Sequence, residues 1–314
     1  MWKKFFLSTV GIYLMLCSAT VAINFAVDPY NVYQSARTVG FNFFAGISQN
    51  HERLFKAIAL INRRPDIVVL GNSKADFAID PSVFGANSYN AAVRNAQPKE
   101  LLAFAKAARR VNPNLKRLIV AVDFEMFALD KESMSGFDPE QLDADRITVD
   151  NIFRTLLTLD ALNDSLSTVE FNRFYQRDFP AFEPDGKFSE PALYELFTFE
   201  NSFVRNSNDM KDWAPVDPIL YEQKFEDFRE LVELCRDGGI ELTVLILPVH
   251  RYHFERYPKA QYKDWQKKLT SITPVEDFAS IFINDITIDN RKFFWDAAHI
   301  KAQAFEHYIC PMFQ

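Results

Sequence analysis

Glycine is scarce in this chain: 9 of 314 residues, about 3% where ~7% is usual. Collagen-like repeats, flexible linkers and glycine-rich phosphate loops are therefore disfavoured. Cysteine is scarcer still. Cys17, Cys235 and Cys310 offer neither metal-ligand spacing nor a disulfide framework. Cys17 falls in an N-terminal apolar run; the other two could pair, and the sequence leaves that open. Positive charge is also in deficit, with 35 Lys+Arg against 42 Asp+Glu and a net charge of −7. Lys3, Lys4 and Asp28 lie in the first thirty residues, so the remainder carries −8. An acidic body has no surface to track a phosphate backbone, which argues against a nucleic-acid partner. Heptad runs and repeats of 20–50 residues are missing as well, disfavouring coiled coils and solenoids.

What is present is globular: 48% hydrophobic and 25% charged residues, with 31 Phe. The run from Phe5 to Val27 carries no charge between Lys4 and Asp28. Its twenty-three residues, at a rise of ~1.5 Å each, would cross a hydrocarbon core of ~30 Å. Lys3 and Lys4 precede it, so the positive-inside rule places the N-terminus in the cytoplasm and the body outside. A single-pass signal-anchor in the inner membrane, with a periplasmic body, is the expected arrangement. The competing readings are a cleaved signal peptide ending near Ala22 and a buried core helix. A lipoprotein site at Cys17 is disfavoured, because Leu16 occupies a position that needs a small residue. The expected domains are thus an anchor over residues 1–30 and one extracytoplasmic domain over 31–314.

The body alternates helical and strand patterns. Residues 50–63 place Leu54, Ile58 and Ile61 on one helical face, ended by Pro65. DIVVLGNS reads as a short apolar strand entering a turn, and a strand apolar on both faces belongs inside a parallel sheet. Residues 87–92 suggest a second strand, 98–111 a helix opened by Pro98, and 115–122 a third strand. A helix over 220–237 is stopped by Gly238-Gly239 and followed by a strand over 240–247. This is the pattern of a doubly wound α/β sheet. An insertion at about 131–220 interrupts it. Residues 149–168 look helical, and ten aromatics lie between Phe171 and Phe203. They either pack the insertion onto the sheet or offer a stacking surface for sugar rings or a membrane partner. An insertion after a parallel strand emerges at the rim where ligands bind.

Ser73 follows the DIVVL strand directly and would be exposed at the sheet's carboxyl rim. There it could attack an acyl carbonyl if a base took its proton; a helix N-cap is the bland alternative. Near the C-terminus WDAAH holds Asp296 and His299. At this spacing the carboxylate can hold Nδ1–H and leave Nε2 facing a nucleophile. His250 and His253 follow the 240–247 strand and are candidates for substrate contact. With no third ligand evident they do not make a metal site. His51 and His307 fall in helical patterns and read as structural or exposed. No cofactor and no metal is expected.

The blocks LGNSKADFAID and WDAAHI, in that order, resemble the SGNH/GDSL hydrolase superfamily. The anchor, the VDPYNVY segment and the spacing to GNS look most like membrane-anchored envelope members of it. These are the accessory proteins of polysaccharide O-acetylation and teichoic-acid D-alanylation. The resemblance implies a three-layer α/β/α, flavodoxin-like fold. It makes Ser73 the nucleophile, His299 the base and Asp296 its orienter. Two departures stand out. The block that should supply an oxyanion-binding Gly reads YNAAVRNAQP, where Asn95 is the stand-in because Asn tolerates a left-handed backbone. The block that should offer an Asn donor reads AVDFEMF, with Asp123, which when ionised repels an oxyanion unless a cation such as Arg94 pairs with it. Two functions follow. One is a serine-dependent acyl-ester hydrolase or O-acyltransferase acting on a cell-envelope or secreted polysaccharide. The other is a catalytically weak SGNH-like domain that binds glycan or scaffolds a membrane-bound O-acyltransferase.

Overall fold

The computed structural model describes residues 2–33, 35–47, 51–128, 142, 148–174, 181–189, 219–279 and 291–313. Helix α1 (Trp2–Val27) is long and apolar enough to cross a membrane, and only a small share of it is buried. A short strand β1 (Ala45–Gly46) precedes α2 (Glu52–Arg63). Leu54, Ile58 and Ile61 are all buried, so the expected helical face is the packed one. Arg64 closes α2 in a left-handed conformation, φ 48°, ahead of Pro65.

Five strands form one parallel sheet: β2 (Ile67–Leu70), β3 (Ser88–Asn90), β4 (Arg117–Val122), β6 (Glu241–Ile246) and β7 (Glu276–Asp277), in the order β3-β2-β4-β6-β7. Register pairs Val68 with Leu118, and Leu118 with Leu242. A second, two-stranded antiparallel sheet joins β1 to β5 (Ala181–Phe182). It was not legible in the sequence, since strands of two residues show no periodicity.

Alternating side chains of the parallel strands point to opposite faces, and both faces are covered. Val68, Leu70, Leu118, Val120, Val244 and Ile246 pack against α2, α4 (Pro98–Val111), α8 (Glu222–Gly238) and α10 (Lys259–Ile272). Trp265 and Phe228 fill this layer and are fully enclosed. Val69, Ile119, Ala121 and Leu245 pack instead on α3 (Ser73–Ala78) and α11 (Ala302–Tyr308). Helices on both faces of a parallel sheet make three layers, as the apolar strands DIVVL and LIVAV required. Cys17, Cys235 and Cys310 are all free thiols, so Cys235 and Cys310 do not pair. Burial pushes the Cys235 thiol up to about 11.

A third cluster joins the segment after α1 to the body. Tyr30, Val32, Phe55, Phe77, Phe171, Phe182, Phe188 and Trp295 share it. Residue 30, the expected anchor boundary, therefore lies inside packed structure. Within the insertion, α6 (Val149–Leu156) and α7 (Leu159–Phe174) occupy the region read as helical. Of its ten aromatics, Phe171, Phe182 and Phe188 are buried as packing residues, and Phe174 is exposed. Tyr175, Phe179, Tyr194, Phe197, Phe199 and Phe203 lie outside the described residues.

Candidate active site

Strand β2 ends at Leu70 and the chain turns into α3 through Gly71 and Asn72. A Cβ on Gly71 would stand 2.6 Å from Ala75 Cβ and 3.1 Å from the Ala121 carbonyl oxygen. Only glycine lets α3 approach β4 this closely. Asn72 caps the helix: its Oδ1 accepts from Lys74 N at 3.0 Å. Ser73 is thus the first residue of α3, not its cap, and its side chain is half-buried at the sheet's carboxyl rim.

The other half of the site is folded locally. Asp296 Oδ1 accepts from the backbone N–H of Ala298 at 2.7 Å and of His299 at 2.9 Å. The same carboxylate meets His299 Nδ1 at 2.8 and 2.9 Å through its two oxygens. Burial would raise the Asp296 carboxyl, but the His299 ring and these N–H donors outweigh it and hold the group below the usual carboxylate range. An ionised carboxylate only accepts, so Nδ1 carries the proton and Nε2 is left as an acceptor. Nε2 stands 2.9 Å from Ser73 Oγ, within reach of a serine hydroxyl that donates to it. Phe77, one turn along α3 from Ser73, lies against the His299 ring with centroids 4.8 Å apart and touches Phe188 at 4.7 Å. The insertion thereby backs the histidine.

Asp123 follows β4 and is tied down by three donors. Its Oδ2 accepts from Lys74 Nζ at 2.8 Å and Asn72 Nδ2 at 2.5 Å, and its Oδ1 from Met126 N at 2.9 Å. The cation beside it is Lys74; Arg94 pairs with Glu52 instead. Lys74 also donates to Glu125 Oε2 at 2.8 Å, and Glu125 Oε1 meets His253 Nε2 at 2.8 Å. Glu125 belongs to the short helix α5 (Phe124–Ala128). Burial alone would lower the Lys74 ammonium, but Asp123 and Glu125 hold it well above the ordinary lysine range. Burial would likewise raise Glu125, yet Lys74 and His253 pull it well below the ordinary value. Lys74 and Glu125 escaped the sequence reading. One signal was there: a lysine in the first helical turn opposes the helix dipole, which calls for a nearby acid.

The two rim histidines are enclosed. His253 is 2% exposed, with Nε2 also 3.0 Å from Tyr257 Oη. His250 caps α9 (Arg251–Phe254), its Nδ1 accepting from Tyr252 N. Its backbone N–H donates to the Ala297 carbonyl at 2.9 Å, tying the end of β6 to the Asp296–His299 loop. The structure therefore gives these two candidates for substrate contact packing and bracing contacts within the protein. Asn95 adopts the expected left-handed backbone, φ 55°, between β3 and α4. His51 lies at the start of α2 with Nδ1 2.5 Å from Asp164 Oδ2, and His307 is an exposed residue of α11. Among the described residues no His/Cys/Asp/Glu group could hold a metal ion.

No family model and no curated protein matches the chain. Among solved structures it is similar to a Streptococcus pneumonia chain provisionally described as a platelet activating factor. The match is 12% identical with a TM-score of 0.39, covering 82% of this chain and 92% of that one.

Proposed function

We propose that this chain is a membrane-anchored, serine-dependent acyl-ester hydrolase or O-acyltransferase of the SGNH/GDSL type, acting on a cell-envelope or secreted polysaccharide. The observation that carries the reading is the relay Ser73 Oγ–His299 Nε2, His299 Nδ1–Asp296, at 2.9 and 2.8 Å. The envelope setting rests on the apolar helix α1 and on the resemblance of the GNS and WDAAH blocks. No cofactor enters this chemistry.

In the proposed reaction Ser73 Oγ attacks the acyl carbonyl carbon as its proton passes to His299 Nε2. The carbonyl oxygen takes the negative charge. The Ser73 N–H at the start of α3 and the left-handed turn at Asn95 are the candidate donors to it. Collapse of the adduct breaks the ester C–O bond, and the leaving alkoxide takes the proton from Nε2. The acyl group is then an ester on Ser73. Water, for hydrolysis, or a sugar hydroxyl, for transfer, repeats the sequence in reverse with His299 again as base. Asp296 keeps the ring in one tautomer and balances the imidazolium that forms.

The rival reading, a weak scaffold beside a membrane-bound O-acyltransferase, drew its weight from the missing glycine of the oxyanion block and from the charge of Asp123. Lys74 balances that charge, and this supports the enzyme reading. The test is a fluorophosphonate probe with short-chain ester hydrolysis. We expect labelling at Ser73 and a fall of about 10³-fold or more in turnover on Ser73→Ala with the fold intact. A wild-type chain that takes no probe and hydrolyses no ester would return the scaffold reading.

A further inference from the structure

Helix α6 is built inside out. In an ordinary surface helix the apolar stripe faces the core and polar residues face water. Here Asn151 and Thr155 point inward and are 2% and 1% exposed. Val149, Ile152, Phe153 and Leu157 form a single stripe on the opposite side, and Val149 is 83% and Phe153 55% exposed. Asp150 and Arg154 flank that stripe and pair with each other at 2.7 Å. The start of α7 repeats this in part: Leu159 is 78% exposed, and Leu166 lies exposed two turns along with Asp160 and Asn163 beside them, while Asp164, Ser165 and Thr168 are buried.

The same inversion runs into α1, which packs against both helices. Asn24 is fully buried at that junction. Its Nδ2 donates to the Leu156 carbonyl at 2.9 Å, and its Oδ1 accepts from Ser165 Oγ at 2.8 Å. Polar groups that join helices from inside, with apolar side chains outside, are the arrangement of helices packed in lipid. Counting about 20 residues for a ~30 Å hydrocarbon core from Phe5 brings the far face of the bilayer to Asn24. Residue 24 is where α6 and α7 meet α1.

We infer that α6 and the start of α7 form a second membrane-contacting element, which lies in the headgroup–acyl boundary of the bilayer that α1 spans. Val149, Ile152, Phe153 and Leu157 enter the acyl region, and Arg154 sits at the level of lipid phosphates. The occupant is lipid because α6 and α7 pack on the end of α1, whose apolar Ile23 and Phe25 are also exposed, at the depth where the chain would leave the membrane. The body would then be held by two elements at a fixed orientation, not tethered by one helix. The inference rests on the reading of α1 as a membrane-spanning anchor.

The experiment uses the full chain in vesicles of phosphatidylethanolamine and phosphatidylglycerol, spin-labelled at single cysteines in a background that carries Cys17→Ser, Cys235→Ala and Cys310→Ala, the three free thiols. Labels go at Phe153→Cys, at Leu14→Cys within α1, and at Ser271→Cys, an exposed position on α10. Collision with oxygen reports lipid, and collision with a water-soluble nickel complex reports solvent. We expect Phe153 to favour oxygen several-fold over nickel, as Leu14 does, and Ser271 to favour nickel. Leu14 in lipid with Phe153 as nickel-accessible as Ser271 would overturn the inference and leave the anchor standing. Exclusion of both reagents from Phe153 would overturn it too, since that stripe would then be covered by protein. Nickel access at Leu14 would remove the anchor reading and the inference together.

Discussion

Lys74 Nζ reaches Asp123 Oδ2 at 2.8 Å, directly beside the residue proposed as nucleophile, and both side chains are nearly enclosed. The pair joins the first turn of α3 to the end of β4 and holds Asn72 through the same carboxylate oxygen. Asp123→Asn would remove the charge that Lys74 needs while leaving the shape. Breaking a buried pair costs about 3 kcal/mol, and Glu125 remains as a second partner. We expect a lower unfolding free energy in denaturant together with a lower esterase rate. A faster enzyme of unchanged stability would show that Asp123 acts as a repelling charge after all.

Gly71→Ala tests the turn that presents Ser73. The added methyl meets Ala75 Cβ at 2.6 Å and the Ala121 carbonyl at 3.1 Å, so α3 must shift away from β4. Overpacking of this kind costs about 1–3 kcal/mol, and the shift lengthens the Ser73–His299 hydrogen bond. The rate of fluorophosphonate labelling should fall by at least tenfold while the site of labelling stays Ser73. Labelling at the wild-type rate would mean that the nucleophile's position does not depend on this close approach.

Acid should weaken the buried network through Glu125. Its carboxyl is held below the ordinary 4.5, because Lys74 and His253 outweigh the effect of burial. A depressed folded pKa gives stability that is present above the unfolded value and is lost as pH falls through the folded one. Wild-type stability should therefore decline below about pH 4.5. Glu125→Gln should be less stable at pH 7 and show a shallower decline. Parallel acid limbs for the two proteins would count against the pairing with Lys74.

His51 makes the opposite prediction. The Asp164 hydrogen bond raises its pKa above 6.5, against burial and with help from the charges of Asp164 and Asp160. A raised histidine pKa gives stability that is fully present below 6.5 and is lost as pH rises through the folded value. Melting of the full chain in detergent should therefore occur at lower temperature as pH rises above about 6.5. His51→Gln should flatten that slope. An unchanged slope would place the pH dependence elsewhere.

Four of the five parallel strands were legible in the sequence; β7, two acidic residues at the sheet edge, was not. DIVVL and LIVAV are apolar on both faces, and only a sheet covered on both sides buries such a run. Helix α4 starts at Pro98 and α8 ends at glycine, both local backbone effects. The Asp296–His299 half of the site was equally local, because three residues and two backbone N–H groups suffice to close it. The left-handed backbone at residue 95 is one that asparagine tolerates. Other features depend on chain segments far apart in sequence. Ser73 and His299 are 226 positions apart, and nothing short of the assembled sheet sets their distance. Whether Asp123 repels or is paired turned on Lys74, whose ammonium reaches it only because α3 and β4 pack side by side across Gly71. The enclosure of His250 and His253 likewise came from α5 and the WDAAH loop. Hydrophobic periodicity says that a helix such as α6 has an apolar side, but not which way that side faces. That direction is set by what the neighbouring helices bury, and here Asn24, Thr155 and Ser165 took the inside.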